Sequence, residues 1–262
     1  MKHIFKITAI ILMAITLTNC KKDKDKDPEP EPAPVVPTQN TGNLEIYFEA
    51  MVGDSELVLS TSTYTNLAGN AFNVTAYKYY ISNIKITKSD NSIWSEPNSY
   101  HIVDHADHAS TTISLANVPY GSYKAVEFVI GVDSAANRAA GTGALDPANG
   151  MCWGWNQGYI FAKFEGTISG QNIKHHIGGW NATVGPNNIK TVSPSFGTAT
   201  ADVSGTITPK IHIVNNLLQW FESPTQVDFT TFPKVIMSTG TNAKTIADNY
   251  ADMFTVDHIH ND

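Results

Sequence analysis

From Leu44 onward the chain is written in short segments of β-branched and aromatic residues, cut by Gly, Asn, Pro and Ser. Residues 43–52, NLEIYFEAMV, set the pattern: Leu44, Ile46 and Phe48 alternate with Glu45, Tyr47 and Glu49. Successive side chains of a strand point to opposite faces, so a period of two marks a half-buried strand. YKYYISNIKITKSD, SYHIVD, TTISLANV, SYKAVEFVIGV, GYIFAKFEGTI, IKHHIGG, TADVSGTITPKIHIV and PKVIMST continue the rhythm. Many short strands with turn signals between them predict an all-β fold, an antiparallel β-sandwich or irregular barrel. One or two short helices are predicted near the C-terminus. VNNLLQWFESP is the first, ending before Pro224; in TNAKTIADNYADMF, Ile246, Tyr250, Met253 and Phe254 fall on one stripe at helical spacing, with Thr241 or Asn242 available as a cap. A composition of 42% hydrophobic and 16% charged residues can bury a core of this size. No second linker interrupts the body, so residues 43–262 read as one domain.

The first residues are of another kind. Lys2, His3 and Lys6 make a basic start, and Ile7 to Leu17 is an apolar run too short to span a bilayer as a mature helix. Residues 1–19 therefore read as a signal peptide. The following LTNC resembles a lipobox, which implies cleavage before Cys20 and acylation of that residue; Asn19 departs from the usual Gly, Ala or Ser. Residues 20–42 begin with alternating Lys and Asp and continue as Pro-Glu repeats that favour extended polyproline II geometry. This segment is a semi-rigid stalk that would hold a domain away from a membrane through the lipid anchor. The charged run directly after the Cys also resembles the export signals of Bacteroidetes surface lipoproteins, so the expected location is the outer membrane, on its periplasmic or cell-surface face. With 17 Lys and Arg against 24 acids and a net charge of -7, no phosphate-binding surface is indicated and nucleic acid is not an expected partner.

The residues that can carry chemistry are few. GMCWGWNQGYIFAKFEG, residues 150–166, sets Met151, Cys152, Trp153 and Trp155 side by side in what reads as a loop. Cys152 has no intramolecular partner if Cys20 carries lipid, so its thiol is either buried or a ligand. Of the 9 histidines, His258 and His260 lie two apart and would present both imidazoles to one side of a strand. His175 and His176 must point to opposite faces, so one of them at most can face a shared site. His212, between Ile211 and Ile213, reads as the solvent face of a buried strand. Imidazole suits copper, zinc and nickel, whereas thiolate and thioether favour Cu(I). The loop GVDSAANRAAGTGALDPANGM carries Asp133 and Asp146, which with Asn and backbone carbonyls offer calcium ligands, or else cap turns; no EF-hand spacing is present. There is no nucleotide loop, nucleophile elbow or zinc-protease helix. Asp104, His105 and Asp107 are the nearest approach to a catalytic constellation, in a pattern common in loops, and an enzyme is not expected.

Five motifs then appear in order: YYISNI, YHIVD, GSYKAVEFVIGVDSAAN, GALDPANGMCWGWNQGYIFAKFEG and HHIGG. The chain resembles the MbnP-like copper-binding family, over nearly all of residues 44–262, with the tryptophan-rich block as the most specific part. The resemblance implies a secreted or lipid-anchored β-rich protein that binds copper through histidine together with kynurenine, the product of oxidising a tryptophan. It also implies a di-haem peroxidase-like partner associated with that oxidation. Trp153, with Trp155 second, is then the residue to be oxidised, and His176 is the imidazole ligand. Where methanotroph copper binders can carry a histidine two residues after the modified tryptophan, this chain has Trp155. Either the site is altered or a ligand comes from elsewhere: His258 and His260 are then the replacements, with Met151 and Cys152 as softer donors. The competing expectation is a module that binds no metal, a glycan- or protein-binding surface sandwich whose exposed tryptophans stack on sugar rings.

Overall fold

The computed structural model describes residues 40–138, 141–154, 158–180 and 185–262. The signal peptide, Cys20, the stalk up to residue 39, and Trp155 lie outside the described residues. The longer elements, in chain order, are β1 (Thr41–Val52), β2 (Ala71–Lys88), β3 (Tyr100–Asp104), β4 (Thr112–Pro119), β5 (Gly121–Ile130), β6 (Ala162–Ile168) and β7 (Gln171–Ile177). After these come β8 (Lys190–Val192), β9 (Lys210–Asn216), α1 (Gln219–Glu222), α2 (Thr241–Ala251) and β10 (Phe254–His260). The fold is mostly β, as the alternation predicts, and the strands form two sheets.

The smaller sheet runs β10–β9–β1, with β4 and the short strand Ser55–Glu56 on the far side of β1. The larger runs β8–β5–β2–β6–β7; β3 and two shorter strands pair with the long β2, Ala201–Val203 pairs with β5, and Val235–Ile236 adds to β7. Leu44, Ile46 and Phe48 of β1 are fully buried between the sheets, each contributing about 1.5–3 kcal/mol by burial. The Phe48 ring meets Phe128 of β5 edge-on at 5.6 Å and Tyr79 of β2 at 6.2 Å, which closes the sandwich. The larger sheet is also covered on its outer face. Tyr79 and Ile81 join the main core, while Tyr80 between them packs into a second cluster with Val132, Met151, Trp153, Tyr159, Ile160 and Phe161.

Among the described residues two pairings inside this frame are parallel, and one of them joins β7 to the short strand Val235–Ile236. β1 and β9 lie parallel, with Tyr47 opposite His212, and β10 then adds to β9 antiparallel. Both predicted helices are shorter than the sequence suggests. Val214, Asn215 and Asn216 are held in the β1 ladder, so α1 is confined to Gln219–Glu222. In α2, Ile246 and Tyr250 are buried as the stripe requires, but Phe254 belongs to β10, where it pairs with Asn215. The helix is preceded by Gly240 in extended backbone without a side-chain cap, and Thr241 and Asn242 lie inside its first turn. Among the described residues no helix is long and apolar enough to cross a membrane.

Candidate metal-binding corner

The segment after β5 builds a corner over the outer face of the larger sheet. Asp133 starts it as a turn cap. Its carboxylate accepts the Ala135 and Ala136 amides at 2.9 and 3.2 Å and the Tyr100 hydroxyl. Burial alone would raise this carboxyl, but these hydrogen bonds hold it below its ordinary value. Asp146 caps the next turn by accepting the Ala148 amide at 2.8 Å. Each aspartate thus caps its own turn, as the second of the two expectations has it, and no group of three His, Cys, Asp or Glu side chains gathers around either among the described residues. Short polar loops spend their carboxylates on orphan amides.

The chain next passes Met151 and Trp153. Both are buried, and the Met151 carbonyl accepts the Ile160 amide at 2.8 Å, while Cys152 bridges to Tyr159 as a minimal antiparallel pair. The Cys152 thiol is half-buried and free, 3.9 Å from the Pro147 carbonyl. Asn137 pins the other side of the turn, with its side-chain oxygen accepting the Tyr159 amide at 3.0 Å. Trp153 is only 6% exposed, and among the described residues its buried indole N–H has no hydrogen-bond partner. Such an orphan donor costs about 1–3 kcal/mol and is uncommon in a settled interior. The ring lies over Gly178, where an added Cβ would come within 2.6 Å of it. A ring so enclosed has no open face for a sugar, which removes Trp153 as the stacking platform of the glycan reading.

His176 stands two residues before Gly178, on β7. Its cross-strand partner Lys163 reaches back to the Gly150 carbonyl at 3.0 Å, so the 150–153 segment covers the face to which His176 belongs. The His176 Nε2 donates to the Glu165 carboxylate at 2.6 Å. Burial pulls the imidazole below its ordinary pKa; for Glu165, burial raises the carboxyl but the His176 hydrogen bond and nearby lysines bring it below its usual range. The pair is therefore a neutral imidazole on a carboxylate, and Nδ1 is left as the lone-pair nitrogen. A carboxylate behind a ligating histidine is the usual supporting arrangement at a metal.

The neighbouring His175 has a different fate. Its Nδ1 accepts the Trp220 indole N–H at 3.1 Å, and its Nε2 donates to the Pro233 carbonyl at 3.1 Å. Burial pushes its pKa down to about 4. With both nitrogens used inside the core it offers nothing to a metal. The strand period thus separates the two histidines as expected, one into the sandwich and one toward the corner.

His258 and His260 do not reach the corner. They lie on β10 in the smaller sheet, where His258 faces His212 of β9 at 3.4 Å. No hydrogen bond or ring contact joins them to Trp153 or His176 among the described residues. As replacement ligands for the tryptophan block they are corrected, because β10 pairs with β9 and so belongs to the other sheet. The Asp104, His105 and Asp107 set is no catalytic constellation either. Asp104 pairs with Lys78 at 2.9 Å, Asp107 caps a short turn, and His105 stacks on Tyr77, with burial pushing its pKa to about 4. A cavity of about 600 Å³ lined by Asn98, Tyr100, Ala136 and residues 141–145 contains none of the predicted ligands.

What the sequence reading missed is Glu165, which orients His176, and Gly178, which admits the Trp153 ring. Neither has a sequence signature beyond lying in a strand and after one. The family model described as MbnP matches residues 41–238. Among solved structures, MbnP from Methylosinus trichosporium is 14% identical over 72% of this chain and 80% of that one, with a TM-score of 0.46. No curated protein matches.

Proposed function

The chain belongs to the MbnP family, and on that premise we propose that it is a copper-handling, extracytoplasmic lipoprotein that captures the metal at the corner and does not turn over a substrate. His176 is the imidazole ligand, through Nδ1. Trp153 is the precursor of the second ligand. Cleavage of its indole C2–C3 bond, with peroxide as oxidant at the peroxidase-like partner the family resemblance implies, and hydrolytic loss of C2 as formate give kynurenine and exchange a buried N–H for an aryl amine and a carbonyl. The buried thioether of Met151, in the same cluster as Trp153, is a soft third donor suited to Cu(I). Cys20 carries the lipid that tethers the domain to the outer membrane.

The observation that carries this reading is the Trp153 indole, which is enclosed against Gly178, two residues from His176, with its N–H unpaired among the described residues. A tryptophan kept only for packing is expected to find its N–H a partner, as Trp220 does. The decisive experiment is to make the full chain together with its peroxidase partner, measure bound copper, and weigh the peptide containing Trp153 and Trp155. Copper with an altered mass at Trp153 is expected, and His176→Ala should lower copper affinity at least about tenfold, the scale seen when site residues of a metal centre are changed. A copper-free protein with both tryptophans at native mass would overturn the proposal.

A further inference from the structure

The expected replacement ligands form a cluster of their own. His212, at the centre of β9, faces His258 of β10, with His212 Nδ1 and His258 Nε2 3.4 Å apart and the rings edge to face. His260, two residues on, brings its Nε2 to 2.7 Å from the same His258 nitrogen. The register between β9 and β10 slips at this point. His212 pairs with His258 and Ile213 with Val256, so Asp257 is the extra residue of a bulge. Bulges re-aim side chains, and this one places the consecutive residues Asp257 and His258 beside one imidazole.

The outer nitrogens of two rings are held by carboxylates. His212 Nε2 donates to Glu49 at 2.8 Å, and His258 Nδ1 donates to Asp257 at 2.6 Å. An imidazole that donates from one nitrogen carries a bare lone pair on the other. His212 Nδ1 and His258 Nε2 are therefore two acceptor nitrogens 3.4 Å apart with only the His260 N–H to share, an arrangement that a cation in place of that proton would relieve. Two nitrogens bound tetrahedrally at about 2.0–2.1 Å from one ion are about 3.3 Å apart, close to the spacing found here. His260, 53% exposed in its side chain, is free to withdraw from its hydrogen bond and complete a three-imidazole set, with water as the fourth ligand. A cleft of about 430 Å³ lined by Glu45, Thr208, Lys210, His260 and Asp262 opens beside it to solvent.

We propose that His212, His258 and His260, with Glu49 and Asp257 behind them, form a second metal site on the smaller sheet. It is independent of the tryptophan corner and binds a divalent, imidazole-preferring cation, Cu²⁺ more tightly than Zn²⁺. The order of those two follows from their general affinities for nitrogen ligands. The carboxylates raise the basicity of the ligating nitrogens and fix their tautomers before the ion arrives. No tryptophan oxidation is needed, so the site is competent as the chain folds.

The test uses the full chain carrying Trp153→Phe and His176→Gln, which removes the corner site. Titration with Cu²⁺, followed by electron paramagnetic resonance, should show one equivalent with nitrogen couplings from imidazole. Adding His258→Gln should weaken that equivalent at least tenfold, and His260→Gln, which removes the outermost ligand, by less. An unchanged titration after His258→Gln overturns the proposal, as does the absence of nitrogen coupling in the parent. Should His258→Gln fail to fold, Zn²⁺ added to the unmutated chain decides: imidazole resonances of His212 and His258 must move at one equivalent, and unmoved resonances leave only a proton shared between the rings. Loss of the corner copper in the unmutated chain, with this equivalent intact, would sink the proposed function and leave the second site standing.

Discussion

Two buried tryptophans in this molecule treat their indole N–H in opposite ways. Trp220 sits fully buried between the sheets, stacked on Phe164, and gives its N–H to His175 at 3.1 Å. Trp153 sits over the outer face of the larger sheet, and its N–H finds no acceptor among the described residues. The first is a closed account of packing and hydrogen bonding, and every polar atom of the Trp220–His175–Pro233 chain is used. The second keeps an uncompensated donor over Gly178, two residues from His176, whose Nδ1 is likewise without a partner among the described residues. The difference teaches where this fold tolerates cost. The centre of the sandwich is resolved for stability, and the corner is not.

That contrast can be broken by experiment. The largest effect is expected at the centre. Trp220→Ala should cost about 3–5 kcal/mol, read as a fall in the urea midpoint, because it opens a cavity and leaves His175 Nδ1 unpaired. A loss as small as that of a surface substitution would mean that the sandwich core is not organised around this ring.

Acid should come next. His175 and His105 both have folded pKa values near 4, below the ordinary imidazole value of about 6.5, because burial disfavours their charged forms. The unfolded chain therefore binds more protons between these limits. Stability should be full above about pH 6.5 and fall as the pH drops toward 4, by up to about 1.4 kcal/mol per pH unit for each group. His175→Gln, which can still accept from Trp220 and donate to Pro233, should flatten that slope by up to about 1.4 kcal/mol per pH unit and leave the shares due to His105 and His176. A slope unchanged by the substitution would assign the acid sensitivity elsewhere.

The smallest effect on stability, and the most informative for the comparison, is expected at the corner. Trp153→Phe removes an N–H that has no partner and keeps most of the ring, so it should change stability by less than about 1 kcal/mol. The same substitution should abolish copper bound through the oxidised tryptophan. If thermal unfolding instead showed a loss comparable to that of Trp220→Ala, the two tryptophans would be alike and the corner would be ordinary packing.

Much of this fold could be read from local pattern. Leu44, Ile46 and Phe48 are buried because a strand's period of two is a property of the backbone, indifferent to what lies across the sheet. The opposed fates of His175 and His176 follow from the same rule, and so does the pairing of His258 with His260 on one side. The resemblance carried in the tryptophan block also led to the family to which the chain belongs. What local pattern could not carry was partnership. The nitrogen of His212 finds Glu49 at a separation of 163 residues, across a parallel ladder that no short-range signal announces. The single-residue slip at Asp257 turns a neighbour of His258 toward the same ring, and a sequence of alternating residues gives no warning of it.

By itself the order of residues determined the strands, their inward faces, and which side chains were chemically able to hold a metal. These depend on contacts a few residues apart. Only the tertiary structure decided which of those side chains meet: His176 with Glu165 near Trp153, and His258 with His212 on the other sheet. Strand order is settled by which whole faces bury best against one another, a sum over the entire core that no single segment contains.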